Sequence, residues 1–176
     1  KERLIQIRTP SSDFHGKTDM IRDEFIKSGA VVEMAASSSS ATSVNSSRDG
    51  FSWDGKPVGF QENFVFVFVS HEYAKTLGMK FLEGRDFSRD FPTDSSGVIL
   101  NKTAVSYMGL KNPVGAVIQR HNSQDPPLKV IGVVDDVIVE SPYEPVKQTM
   151  YVINKTGDTY FYILSMNPNR SVRENL

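Results

Sequence analysis

The chain has 176 residues, of which 39% are hydrophobic and 23% charged, with a formal net charge of −1. That is ordinary globular composition, long enough for one sizeable core or two joined lobes, and too neutral for a broad nucleic-acid footprint or a polybasic membrane patch. It contains no cysteine, which excludes a disulfide framework, a thiolate nucleophile and a Cys-ligated zinc site.

In chain order, Leu4 to Ile7 reads as a short strand, followed by turn residues through Asp13. A helix is predicted from about Gly16 to Ser28, with Met20, Ile21 and Phe25 on one face. Asp19, Asp23 and Glu24 towards its start and Lys27 at its end suit the helix dipole, and Gly29 stops it. Ala30 to Ala36 reads as a second strand, completing a β-α-β unit. Residues 37–48, SSSSATSVNSSR, bury almost nothing and read as a flexible Ser-rich loop; a partner-docking loop that orders on contact is the sharper alternative.

Phe51 to Phe60, with Asp54-Gly55 in the middle, carries a hairpin signal, since Asp-Gly supplies the positive φ angles of a two-residue turn. Phe64 to Val69 is apolar throughout and reads as a central strand covered on both faces. Ser70 is placed to cap a helix that Gly78 ends; Asn101 is placed to cap another that Gly109 ends, with Leu110 folding back on it. Between them lie Gly84-Arg85-Asp86-Phe87 and a polar loop over 88–96. After them Asn112-Pro113-Val114-Gly115 forces a turn. Leu128 to Val134 is a buried strand, and Gln148 to Ile153 and Tyr160 to Met166 read as two more that could pair across a longer loop. Ser171 to Glu174 forms a capping-box pattern with little behind it. That ending, and the missing initiator Met, suggest a soluble piece of a longer protein. The sum is an α+β fold: a mixed β-sheet of eight or nine strands with helices on one face.

Candidate chemistry is sparse. His15, His71 and His121 are too far apart to form a helical metal pair and read as ordinary surface or capping residues. Asp135-Asp136, and Asp86 with Asp90, sit in turn-like contexts, where solvated carboxylates are the plain reading. Neither a Gly-x-Ser-x-Gly elbow nor a P-loop occurs, so serine hydrolysis of the common type and ATP hydrolysis lack their usual machinery. Arg85 has two readings: it binds an anionic ligand or partner carboxylate, or it pairs with a nearby Asp or backbone carbonyls while Phe87 fills the core. The second is favoured, because a motif resting on Gly and Phe is usually about backbone geometry and packing. Trp53, the single Trp, reads as a packing residue. The sequons at Asn45, Asn101, Asn154 and Asn169 are discounted, Asn101 being better explained as a cap.

Several linked motifs in order carry a resemblance: Leu77-Gly78, Glu83-Gly84-Arg85-Asp86-Phe87, Ile99-Leu100-Asn101 with Thr103-Ala104, Met108-Gly109-Leu110 and Asn112-Pro113-Val114-Gly115. Together they resemble the extracytoplasmic core domain of MacB-type permeases of the FtsX-like ABC transporter group, most closely the versions in Bacteroides-like bacteria. Weaker likeness reaches Val130 to Val134 and back to Phe51 to Lys56. The resemblance implies a porter-like lobe from β-α-β units (residues 1–83 and 128–176) with a smaller inserted lobe (84–127). Gly84, Arg85, Asp86, Phe87, Asn101, Gly109, Asn112, Pro113 and Gly115 would mark the fold; no catalytic, metal or cofactor site is implied. It implies a non-catalytic periplasmic domain of an inner-membrane protein, between transmembrane helices, coupling nucleotide-driven motion to substrate or accessory-protein handling. Implied partners are a cytoplasmic ATP-binding subunit or domain, a periplasmic adaptor or outer-membrane component, and a second copy in the intact transporter; nucleic acid is not among them. The alternative is an extracytoplasmic sensor binding a small ligand or peptide in an apolar pocket.

Overall fold

The computed structural model describes residues 3–9, 16–41, 46–121, 124–137, 145–157 and 159–170. Along the chain these form β1 (Leu4–Arg8), α1 (Thr18–Lys27), β2 (Val31–Ser37), β3 (Ser47–Arg48), β4 (Phe51–Trp53), β5 (Phe64–Val69), α2 (Tyr73–Leu77), β6 (Phe81–Gly84), a 3-10 turn (Pro92–Ser96), β7 (Gly97–Asn101), α3 (Lys102–Met108), β8 (Val117–Arg120), β9 (Leu128–Val134), β10 (Thr149–Ile153) and β11 (Phe161–Met166). All eleven strands share one sheet, ordered β1-β11-β2-β5-β10-β7-β9-β8-β4, with β3 on β5 and β6 on β9. The β5–β10 and β7–β9 pairs are parallel and the others antiparallel, so the sheet is mixed and the fold is α+β.

β5 lies in the interior of the sheet because its two faces are both apolar. Alternation along Phe64–Val69 sends Val65, Val67 and Val69 to one side and Phe64, Phe66 and Phe68 to the other. The valine face packs under Tyr73 and Leu77 of α2. The phenylalanine face packs under Ala104 and Met108 of α3, with Phe51 and Trp53. Helices therefore cover both faces, where the sequence pointed to one. A third cluster, Val31, Met34, Ala36, Tyr162 and Leu164, is closed by Ile21 and Phe25 of α1. A bulge in β2, where Ser165 faces Glu33 but Met166 faces Val31, shifts the alternation so that Val31 and Met34 join the same core.

Three expectations about pairing and capping are corrected. The hairpin over Phe51 to Phe60 does not form. β4 pairs with β8 instead, while Pro57 has no N–H to offer and Gly59 has φ +78. On the open side of β4, Glu62 accepts from the Phe51 N–H at 2.6 Å and Lys56 donates to the Phe51 carbonyl at 2.7 Å, so side chains replace a partner strand. β10 and β11 do not pair either. The segment between them crosses the ends of β5 and β2, with Asn154 N–H donating to Val69 and Tyr160 N–H to Ser37. Ser70 does not cap α2, which begins at Tyr73; its Oγ accepts from Ala36 N–H at 3.1 Å and ties β2 to β5. Within the Ser-rich stretch, Ser37 and Ser39 are buried and Ser47–Arg48 pair with β5; residues 42–45 lie outside the described residues. So do His15, Asn45 and the capping-box pattern at Ser171.

The segment 84–127, expected as an inserted lobe, supplies β7 between β10 and β9 in the middle of the sheet. The narrowest joint lies elsewhere. β2 and β5 share a single register pair, Ser37 with Val69, whereas β1–β11, β5–β10 and β7–β9 each share five.

Candidate functional site

The Gly84-Arg85-Asp86-Phe87 motif is a close crossing of β6 over β9. Gly84 has φ +69, and a Cβ there would overlap the Ile131 carbonyl and lie 2.8 Å from Gly132 Cα. Gly132 faces the Arg85 carbonyl in the same tight way. Only paired glycines let these backbones meet. The crossing aims Arg85 at Asp94: its two terminal nitrogens donate to the two carboxylate oxygens at 2.6 and 2.8 Å. Ser88 N–H adds a third bond at 2.9 Å, and the guanidinium lies 4.3 Å over the Phe91 ring. Asp94 is 1% exposed. The Arg85 bonds hold its carboxyl below the usual range despite burial. Asp86 accepts from Phe87 N–H at 2.8 Å, burial pushes its carboxyl upward, and Phe87 enters the core beside α2.

Asn101 is buried and works in two directions. Its Oδ1 accepts from Ala104 N–H at 2.9 Å and Thr149 N–H at 2.8 Å, and its Nδ2 donates to the Lys147 carbonyl at 2.9 Å. It thus caps α3 and anchors β10 to it. Asp136 adds a second cap, accepting from Thr103 N–H at 3.0 Å and Thr103 Oγ1 at 2.9 Å; no residue near Thr103 in the chain signals it. Gly109 ends α3 with φ +68, and Leu110 N–H returns to Val105. Asn112 is exposed and Pro113 is buried. Gly115, with φ +91, donates its N–H to the Val130 carbonyl at 2.8 Å, which starts β8 on its way beside β9. Trp53 is buried and donates to the Met108 carbonyl at 3.1 Å.

Around the β2–β5 joint polar contacts add to the core that Ala35 shares with Val67 and Val69. Ser38 exchanges bonds with Phe68, its N–H donating to the carbonyl and its Oγ accepting from the N–H. Above it, Arg89 in the 88–96 loop bridges Asp19 of α1 and Glu72 before α2, both at 2.8 Å. Glu33 of β2 is 5% exposed and takes Arg22 of α1 at 2.7 Å and Lys75 of α2 at 2.9 Å. Burial alone would push Glu33 upward, but the Arg22 and Lys75 bonds outweigh it and its carboxyl ends below the usual range. Burial, then Arg89, lower His71.

On the phenylalanine face there is a cavity of about 210 Å³. Phe51, Phe66, Ile118 and Val152 form its floor; Arg48, Arg120 and Asp125 stand at its rim. Arg48 reaches it because β3 places it opposite Phe64, on the same face of the sheet. Its guanidinium lies 4.8 Å from the Phe66 ring centre and 5.0 Å from that of Phe68. Nothing near Arg48 in the sequence announces this pairing.

Among the described residues no group of three or more His, Asp or Glu could hold a metal ion. His71 and His121 are apart, and Asp135 accepts from Asp136 N–H rather than sharing a cleft with it. No helix among the described residues is long and apolar enough to cross a membrane.

A family model described as the MacB-like periplasmic core domain matches residues 2–169. No curated protein matches the chain in sequence. Solved structures share its fold, and two of them cover 98% of this chain. The periplasmic region of MacB from Actinobacillus actinomycetemcomitans is 13% identical, with a TM-score of 0.63, over 98% of this chain and 78% of that one. The extracellular domain of the ABC-type transporter YknZ from Gram-positive bacteria is 15% identical, with a TM-score of 0.63, over 98% of this chain and 88% of that one.

Proposed function

The chain belongs to the MacB-like periplasmic core domain family, an extracytoplasmic part of ABC-type transporter permeases, and on that premise we propose that it is a non-catalytic body that transmits motion. The observation that carries this reading is the pairing of the first strand with the last. Leu4 faces Ser165 and Arg8 faces Phe161, and Met166 N–H donates to the Arg3 carbonyl at 2.9 Å. Membrane helices joined to β1 and β11 would pull on adjacent strands, so both connections act on one edge of the sheet.

That edge belongs to a small body of β1, β11, β2 and α1. The larger body is built on β5, β10, β7 and β9. Long ladders make each stiff, while one register pair, hydrogen bonds at Ser38 and Ser70, a set of ion pairs and a core in which Ala35 and Ile163 lie with Val67, Tyr73 and Leu77 join them. The Arg89–Asp19 pair is exposed on both sides and worth only about 0–1 kcal/mol, so it can exchange partners at little cost, whereas the pairs on buried Glu33 hold more firmly. Two rigid bodies across a joint with far less strand pairing than either body has within it are what a two-position device requires. The ATP-binding partner supplies the work from the other side of the membrane. An adaptor, an outer-membrane component or a second copy of the domain would feel the larger body shift.

The test is a removable staple. Ser37 and Val69 are register partners in an antiparallel pair, at a spacing that suits a disulfide. In the intact transporter, oxidised S37C/V69C should lose most transport, and a reductant should restore it. Stapled transporter that works at the wild-type rate would defeat the reading.

A further inference from the structure

The cavity on the phenylalanine face has an apolar floor and a basic mouth. Its lining carries three cations, Arg48, Arg120 and Lys155, against one carboxylate, Asp125. Arg48 is half-buried, with its guanidinium close to both the Phe66 and Phe68 rings. Among the described residues no acceptor bonds its guanidinium edge. Burial and the neighbouring Arg120 both weigh against its charge, and Asp125 only partly offsets them. A half-desolvated cation beside a like charge is an unfavourable arrangement that a bound anion would relieve. Contact with both rings also holds the guanidinium at the cavity, where its N–H groups can make bidentate contact with a carboxylate or phosphate.

We propose that this cavity binds an anionic amphiphile, with an apolar tail against Phe51, Phe66, Ile118 and Val152 and an anionic head on Arg48 and Arg120. At about 210 Å³ it is smaller than the ~300–1,000 Å³ of a site that swallows a drug-sized molecule. It therefore holds one short run of chain, and the rest of a longer ligand trails over Pro126 and Thr156 at the mouth. This site is independent of the motion proposed above and is tested without the transporter.

Isothermal titration of the 176-residue chain with decanoate, decyl phosphate and decanol, each below its micelle-forming concentration, separates the contributions. Decanoate or decyl phosphate should saturate a single site, and the tighter of the two names the head group. Decanol should bind about ten-fold or more weakly, the worth of one charge-assisted bond. R48Q should weaken the anions about ten-fold and leave decanol unchanged, with the fold checked by circular dichroism. Should R48Q disturb the fold, R120Q at the exposed rim should give a smaller loss in the same direction. Decanol binding as tightly as the anions, no effect of either substitution, or no saturable binding to the folded chain would each overturn the proposal.

Discussion

Removing Arg85 should hurt the fold more than removing both Arg85 and Asp94. Asp94 is 1% exposed and accepts two bonds from Arg85 and one from Ser88 N–H. R85A strands that carboxylate with a single donor. Breaking a buried pair on one side costs about 3–5 kcal/mol, and the low end applies because the Arg85 side chain is 41% exposed, so water can partly replace it. D94A leaves Arg85 free to reach water and orphans only the Ser88 N–H, at about 1–2 kcal/mol. In R85A/D94A no buried charge remains, so the double substitution should cost about 2 kcal/mol and be more stable than R85A alone. Urea unfolding of the four proteins gives the cycle directly; at an m value of about 3 kcal/mol/M the R85A midpoint should fall by about 1 M. The reasoning fails if R85A costs under about 1 kcal/mol, or if the double variant equals the sum of the singles.

Three further outcomes follow from the same geometry. N101A removes a helix cap and a buried anchor for Thr149 together, and should cost about 2–3 kcal/mol, with amide exchange accelerated at Ala104 and Thr149. G132A drives a Cβ into the Arg85 carbonyl and should cost about 2–4 kcal/mol in chemical unfolding, whereas G115A meets no atom within 4 Å and should cost only the left-handed strain of about 1–2 kcal/mol. Asp94 and Glu33 are held below their ordinary values, so their contribution is complete above about pH 5 and drains away as pH falls through the lower folded values. Asp86 is raised and works the other way; because Glu33 remains, D94N should flatten the acid limb of a stability–pH curve without abolishing it.

What was legible in the sequence is what neighbours along the chain decide. Alternation and composition fixed β5 as an interior strand, because six consecutive apolar residues have no other economical home. Gly29, Gly78 and Gly109 ended their helices, and Asn101 capped α3, since caps act within four residues. The misses are all non-local. β4 was paired with its own downstream segment because Asp54-Gly55 is a strong turn signal, yet Glu62 and Lys56 occupy that edge. β10 and β11 looked like a hairpin, but β11 completes the three-stranded group with β1 and β2. Asp136 lies 33 residues from the Thr103 it caps. The arginine at the cavity mouth was hidden inside a serine-rich stretch that looked structureless.

Spin-label distances across the β2–β5 joint in the intact permease test the transmission claim most directly. These 176 residues contain no cysteine, so a labelled pair brings the domain its only thiols, and Met20 on α1 and Val58 after β4 are both exposed, one on each body. The Met20–Val58 distance should change between the nucleotide-free and ATP-bound transporter, while a control pair within the larger body, Val58 and Leu82, keeps its distance. An unchanged Met20–Val58 distribution, or equal changes in both pairs, would contradict a domain that moves as two stiff parts about one narrow joint.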